Sequence, residues 1–222
     1  MSILQNLPAV VTAIGGLGTA AFGLVDASKV LWGGVNHIGF PGISSAVTPL
    51  IPASQQPTNS LSQKKILETL QANWMNGTDL GSQKAIAKSL IKLNLSPANA
   101  HPVADATGLA PAVLTAVATK IASGTPLSSA ESDVFGRFDL IVTALLDEAY
   151  QRSDQVYRNW TRAIAAAVAV ALSIAGEMTL HVAGGWGVAL LVGLLATPLA
   201  PIAKDLSTAL ATAVNTLQMV NK

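Results

Sequence analysis

The chain has 222 residues, 13 Lys and Arg against 12 Asp and Glu, 50% hydrophobic and 11% charged residues, no cysteine and a mean hydropathy of +0.48. Soluble domains carry about 25% charged residues, so this composition is a poor fit to an ordinary cytosolic enzyme, and a chain this apolar collapses rather than staying disordered. The lack of cysteine excludes disulfide frameworks, thiolate zinc sites and cysteine nucleophiles, and a net charge of +1 offers no basic field to nucleic acid.

Residues 1–29 read as an N-terminal transmembrane helix. From Leu7 to Val25 there are 19 residues without charge, closed by Asp26 and Lys29, and a lipid-embedded helix needs roughly 20 apolar residues. No Lys or Arg precedes Leu7, so the segment is expected to be retained rather than cleaved as a signal peptide. Gly15 with Thr19, Gly16 with Ala20, and Thr19 with Gly23 are small residues four apart, the spacing that lets helices approach closely in lipid. Their partner is either another helix of the chain or another subunit.

Residues 30–59 hold Pro41, Pro49, Pro52 and Pro57 among Gly, Ser, Thr and Gln and are expected to form an extended linker, with Val47, Leu50 and Ile51 able to dock. Residues 60–159 read as a helical cytoplasmic domain. Asn59 and Ser60 are capping candidates for a helix with Leu61, Ile66, Leu67, Leu70 and Trp74 on one face, ended by Asn76 and Gly77. Asp79 opens a second, with Ile86, Ala87, Leu90 and Ile91 inward, and Ser96-Pro97 closes it. A third runs from Pro111 to the stop signals Gly124 and Pro126, with Val113, Val117 and Ile121 inward. Lys84, Lys88 and Lys92 share one helix face, either a solvated side or a contact with anionic lipid.

From Ser128 to Gly176 there is no Pro and one internal Gly, Gly136, so one helix is expected to leave the domain and continue as the second span. Phe135, Phe138, Val142, Leu145, Ala149, Arg152 and Val156 alternate three and four apart, a heptad-like seam that either recruits another helix or packs on its own domain. Residues 160–204 read as a transmembrane hairpin: the 41 residues from Ala163 to Ala203 carry one charge, Glu177. That length suits two spans, near 160–180 and 184–203, joined by a turn through Glu177, His181, Gly184, Gly185, Trp186 and Gly187. Ala163, Ala167 and Ala171 repeat the small-residue spacing, and Pro198 and Pro201 kink or end the third span. Residues 205–222 are expected to be an amphipathic C-terminal helix, with Leu206, Leu210, Ala213, Val214 and Leu217 on one face.

All 13 Lys and Arg lie between the first two spans or after the third. Basic residues near span ends mark the cytoplasmic side, so the expectation is an external N-terminus, residues 26–162 and the C-terminus cytoplasmic, and the turn outside. The stretch LLDEAYQRSDQVYRNWTR, followed by a hairpin ending LLATPLAPIAKDL, resembles a loose group of uncharacterised bacterial membrane proteins in which a charged helix leads into a C-terminal pair of spans. The matching positions are Asp147, Glu148, Arg152, Ser153, Tyr157, Arg158, Pro201 and Asp205. The resemblance implies a bacterial inner membrane and supplies no activity.

No phosphate loop, nucleophile elbow or zincin motif occurs, and neither an enzyme activity nor a cofactor nor a metal is expected. His37 and His101 have no second histidine at ligand spacing. Glu177 and His181 offer two ligands at most, although an oligomer could gather Glu177 into a ring, as in cation pores. The fold expected is all-α, an integral membrane protein with three transmembrane helices and a helical soluble domain. The expected function is a membrane-anchored scaffold or assembly component that recruits partners or copies of itself, with an oligomeric pore or channel as the alternative. Its expected partners are the lipid membrane and either a homo-oligomer or a membrane-complex partner, and not nucleic acid. Outside the two apolar stretches, 162 residues carry 24 of the 25 charges, about 15%, still below the soluble norm. That shortfall is itself a reason to expect a covering partner.

Overall fold

A computed structural model describes residues 3–53, 62–180 and 185–220, and every regular element among them is helical. The helices are α1 (Ile3–Trp32), α2 (Asn36–Val47), α3 (Gln63–Met75), α4 (Leu80–Asn94), α5 (Ala100–Thr107), α6 (Pro111–Ser123), α7 (Ser129–Leu180) and α8 (Gly185–Val220), with a 3-10 turn at Thr48–Leu50. The capping candidates Asn59 and Ser60, the Glu177 partner His181 and the turn residue Gly184 lie outside the described residues. The chain divides into two compact units, one of Met1–Val35 and Arg158–Lys222 and the other of Asn36–Tyr157.

The Asn36–Tyr157 unit has a core that includes Ile43, Ile66, Leu70, Ile91, Leu114, Phe138 and Tyr150. The expected linker is corrected here, because residues 36–50 are helical and belong to this core. Pro41 inside α2 costs about 3 kcal/mol. Ile43, Val47, Leu50 and Ile51 are all buried, and at about 1.5–3 kcal/mol each they outweigh it. Pro49 sits at the start of the 3-10 turn, where a missing N–H removes no hydrogen bond. A proline count could not reveal either compensation.

Ser62 caps α3, accepting from the Lys65 amide at 3.3 Å, and Asp79 caps α4, accepting from the Ser82 amide at 2.9 Å. The buried face of α4 is Gln83, Ala87, Ile91 and Asn94, so Ile86 and Leu90 flank the core instead of filling it. Helix α5 has no counterpart in the sequence reading. Asn99 organises the bend before it, accepting from the Ser96 amide at 2.8 Å and donating to the Asn94 carbonyl at 2.7 Å. On α6 the inward residues are Leu114, Val117 and Ala118, and Ile121 is 46% exposed, one helical step out of the expected phase.

The second unit gathers α1, the C-terminal part of α7 and α8. Three helical stretches are long and apolar enough to cross a membrane, Val10–Lys29, one within Ser129–Thr179, and Gly185–Ala203. Ala21, Ala169 and Ala196 meet in a small core. Ala163, Ala167 and Ala171 are exposed, whereas Ala165 and Ala169 are buried, which corrects the face expected for that span. Pro198 and Pro201 lie inside α8, which continues past 205 without a break, so the expected division between third span and C-terminal helix is absent.

Glycine sets how closely these helices approach. A Cβ on Gly15 would strike Ala203 and the Leu199 backbone, one on Gly18 would strike the Ala196 carbonyl and Ala200, and one on Gly193 would lie 2.5 Å from Val170 Cα. Contacts therefore descend along α8 as they ascend along α1, and the two helices run in opposite directions. Three complete crossings with residues 26–162 on one side require α1 and α8 to run parallel. That part of the expected topology is not supported by the packing, because the charge rule carries no information about which helix faces which.

Candidate functional site

Two stripes of matching period face each other in the Asn36–Tyr157 unit. Lys84, Lys88 and Lys92 recur every four residues on α4, and Asp139, Thr143 and Asp147 do so on α7. Lys84 Nζ lies 2.5 Å from Asp147 Oδ1, Lys88 Nζ lies 2.6 Å from Asp139 Oδ2, and Lys92 Nζ lies 3.0 Å from Asp139 Oδ1. Lys88 also donates to Thr143 Oγ1 at 3.1 Å, and that hydroxyl donates to the Asp139 carbonyl at 2.7 Å. Lys92 stands 5.1 Å from the centre of the Phe135 ring. Hydrogen bonds from Lys88 and then Lys92 hold the Asp139 carboxyl below its ordinary range.

The lysine face is therefore an ion-pair ladder and not a bare solvated side. The complementary signal, Asp139, Thr143 and Asp147 at the same period, was present in the sequence. These side chains are about 27–45% exposed, and pairs so open to water contribute up to about 1 kcal/mol each. Beside the ladder lies a cleft of about 750 Å³ whose polar wall includes the three lysines and whose apolar wall includes Leu93, Ile121, Phe135 and Leu146.

The heptad-like seam is largely consumed inside this unit. Phe138 and Val142 are fully buried, and Leu146, Ala149, Tyr150 and Ser153 continue their stripe. Phe135 stacks beside Phe138 with ring centres 6.2 Å apart. Of the two alternatives for the seam, packing on its own domain is the one seen for Phe138 and Val142, while Leu145 is 36% exposed and lies off the stripe. The helix turns by 3.6 residues rather than 3.5, and the stripe passes from 142 to 146.

Trp74 joins the lower end of that stripe to α2. Its Nε1 donates to the Asn36 carbonyl at 2.7 Å, and Asn36 donates to the Met75 carbonyl at 3.2 Å. Its ring packs 6.5 Å from Tyr150 and 6.1 Å from Tyr157. Among the described residues the buried hydroxyls of Tyr150 and Ser153 have no hydrogen-bond partner, and burial pushes the Tyr150 hydroxyl up to about 12. Of the positions carrying the resemblance, Asp147 joins the ladder, Arg152 pairs loosely with Glu148 at 3.6 Å, and Ser153 and Tyr157 are structural. Asp205 is exposed on α8.

Residues expected at the spans separate into two sets. Gly15 packs against α8, while Gly16 and Gly23 have no neighbouring atom within 4 Å of a built Cβ, and Thr19 and Ala20 are exposed. Gly18, absent from the expected pairs, packs as closely as Gly15. Glu177 is half-buried on α7. His37 is exposed, and His101 lies 3.2 Å from Asp105 on an exposed face. Among the described residues no group of three potential metal ligands comes together. Comparison with protein-family models, curated proteins and solved structures gives no match.

The start of α7 carries a pH-dependent lock. Glu131 Oε2 accepts from Lys120 Nζ at 2.6 Å, from the Ser128 amide at 2.7 Å and from the Ser128 hydroxyl at 2.8 Å, a capping box reinforced by an ion pair. Lys120 first, then Ser128, lowers the carboxyl from 4.5 to about 2. A depressed carboxyl stabilises the fold above its unfolded value, and that stabilisation is lost as pH falls towards the folded value. The stability difference between the wild-type chain and Glu131→Gln is thus expected to be constant near neutrality, shrink below about pH 4.5, and be mostly lost as pH falls through about 2. Hydrogen exchange of the Asn36–Tyr157 unit across that range measures it; a difference independent of pH would refute the lock.

Proposed function

We propose that the protein is a membrane-anchored assembly component, in a bacterial inner membrane, that associates with copies of itself through the outward face of α1 and holds the Asn36–Tyr157 unit at the membrane. The observation that carries this reading is the division of glycines along one helix. Gly15 and Gly18 are used inside the chain, whereas Gly16 and Gly23 meet nothing. A glycine inside a helix costs about 0.5–1 kcal/mol relative to alanine, and no contact among the described residues returns that cost. In lipid, where burial of apolar surface supplies no drive, small residues four apart permit the close packing that holds helices together.

Other features agree. Trp186, Leu191, Leu194, Leu195 and Ile202 are exposed on α8, as lipid contact requires. Arg158, Arg162 and Lys204 flank the hairpin, which favours a cytoplasmic position for its open end. The sparse charge of the Asn36–Tyr157 unit is consistent with a surface partly covered in an assembly.

Native mass spectrometry of the full chain released from lipid nanodiscs tests the proposal. The wild type is expected to be oligomeric, and Gly16→Leu with Gly23→Leu to weaken association about tenfold, the effect of losing 1–2 kcal/mol of interhelical packing. Gly15→Leu should instead lower thermal stability by separating α1 from α8. A strictly monomeric wild type, or association unchanged by the outward substitutions, would sink the proposal.

A further inference from the structure

The cleft between α4 and α7 plays no part in the proposed assembly. Its charges do not cancel: Lys84, Lys88 and Lys92 face only Asp139 and Asp147 within the ladder, and Lys88 and Lys92 share the single Asp139 carboxylate. Each ammonium has three N–H donors. Lys88 directs one to Asp139 and one to Thr143, and Lys92 directs one to Asp139, which leaves a donor on each for a further acceptor. At the other wall Leu93 is 68% exposed and Ile121 46% exposed, and both line the same cleft as Phe135. Large aliphatic side chains facing water beside a cavity of about 750 Å³, within the size range of small-molecule sites, are what a bound apolar chain would cover.

We propose that this cleft binds a single-chain amphipathic anion, an alkyl carboxylate or alkyl phosphate, with its head against Lys88 and Lys92 and its chain along Leu93, Ile121 and Phe135. The polar end suits an acceptor-rich anion, because three ammonium groups line it and the Thr143 hydroxyl already donates to the Asp139 carbonyl. The apolar end demands a flexible chain and not a sugar or nucleotide, because those three residues offer it no hydrogen-bonding side chain. The inference is independent of self-association, since every residue it uses lies in the Asn36–Tyr157 unit.

The test uses the full chain in phosphatidylcholine nanodiscs, a diazirine-bearing decanoate as probe, and mapping of photoadducts by peptide mass spectrometry. Adducts are expected on the segments around Leu93, Ile121 and Phe135. Octanoate and decanoate should compete, each added methylene improving competition about threefold to fourfold, and decanol should not compete at matched concentration. Lys88→Gln combined with Lys92→Gln should weaken labelling about tenfold, as expected for lost charge-assisted hydrogen bonds. Leu93→Ser, a change at an exposed position, should weaken it without altering the fold.

Octyl phosphate in solution and lysophosphatidic acid, which has one acyl chain, in the disc are then compared as competitors. Suppression by the first only assigns the head group to a soluble ligand, and suppression by the second only assigns it to a bilayer lipid; either supports the site. Adducts confined to residues 160–203, equal competition by decanol, or labelling untouched by both the lysine and the Leu93 substitutions would overturn it.

Discussion

Phe138→Ala is expected to remove about 3–5 kcal/mol from the stability of the Asn36–Tyr157 unit, the usual cost of emptying a buried phenyl site, whereas Leu145→Ala should cost less than about 1 kcal/mol. Phe138 is fully buried and Leu145 is 36% exposed, although both occupy positions of the same heptad-like repeat. Phe138 stacks on Phe135, and its neighbours on the stripe, Val142 and Leu146, are equally enclosed, so the stripe beyond it is already packed. Hydrogen exchange of unit peptides in the full chain reads both variants against wild type. If the seam instead recruited a second helix, Leu145→Ala would disrupt assembly and Phe138→Ala would leave the isolated unit stable. Similar costs for the two substitutions would contradict the packing described.

That contrast shows what a repeat can and cannot say. The alternation of three and four residues identified α7 as amphipathic and placed Phe138 and Val142 inward, but a stretch of three repeats fits a period of 3.5 and one of 3.6 about equally well. The choice between them decides whether Leu145 or Leu146 is buried. Helices α4 and α6 were legible from Asp, Pro and Gly at their ends, since caps act locally, whereas α3 was legible from its period and from Asn76 and Gly77, its cap being Ser62 and not one of the candidates Asn59 and Ser60. Helix α5 was not, because its bend depends on Asn99 reaching the backbone of Asn94 and Ser96, and its inward residues are few and small. The ladder was half legible. The lysine period was plain, but its meaning required knowing that Asp139 and Asp147 on α7 face it across the fold.

The small-residue face of α1 shows the same division between spacing and placement. Pairs four apart flagged close helix approach, and Gly15 makes one. The nearest companion in the packing is Gly18, three residues on, because the stripe that meets α8 follows the interface through Gly15, Gly18 and Ala21. Nothing in the order of residues ranks Gly16 below Gly18. Only the identity of the facing helix, with Ala196, Ala200 and Ala203 on it, separates the face that meets α8 from the one that does not.

Gly39→Val is expected to destabilise the Asn36–Tyr157 unit by about 3 kcal/mol, the upper end of the overpacking range, while Gly136→Ala should stabilise it by about 0.5–1 kcal/mol. A Cβ on Gly39 would enter the Trp74 indole and come within 3.0 Å of the Ser153 carbonyl, and one on Gly42 would lie 2.6 Å from Ser153 Oγ. The indole cannot swing aside without breaking its hydrogen bond to Asn36 and its contacts with Tyr150 and Tyr157, and the carbonyl belongs to the backbone of α7. By contrast, Gly136 lies in the same long helix with nothing within 4 Å of a built Cβ, so alanine there gains helix propensity at no steric cost. Measuring the two together separates close approach from a general effect of glycine. If residues 30–59 were an extended linker, Gly39→Val would be nearly neutral, and that outcome would remove α2 from the core.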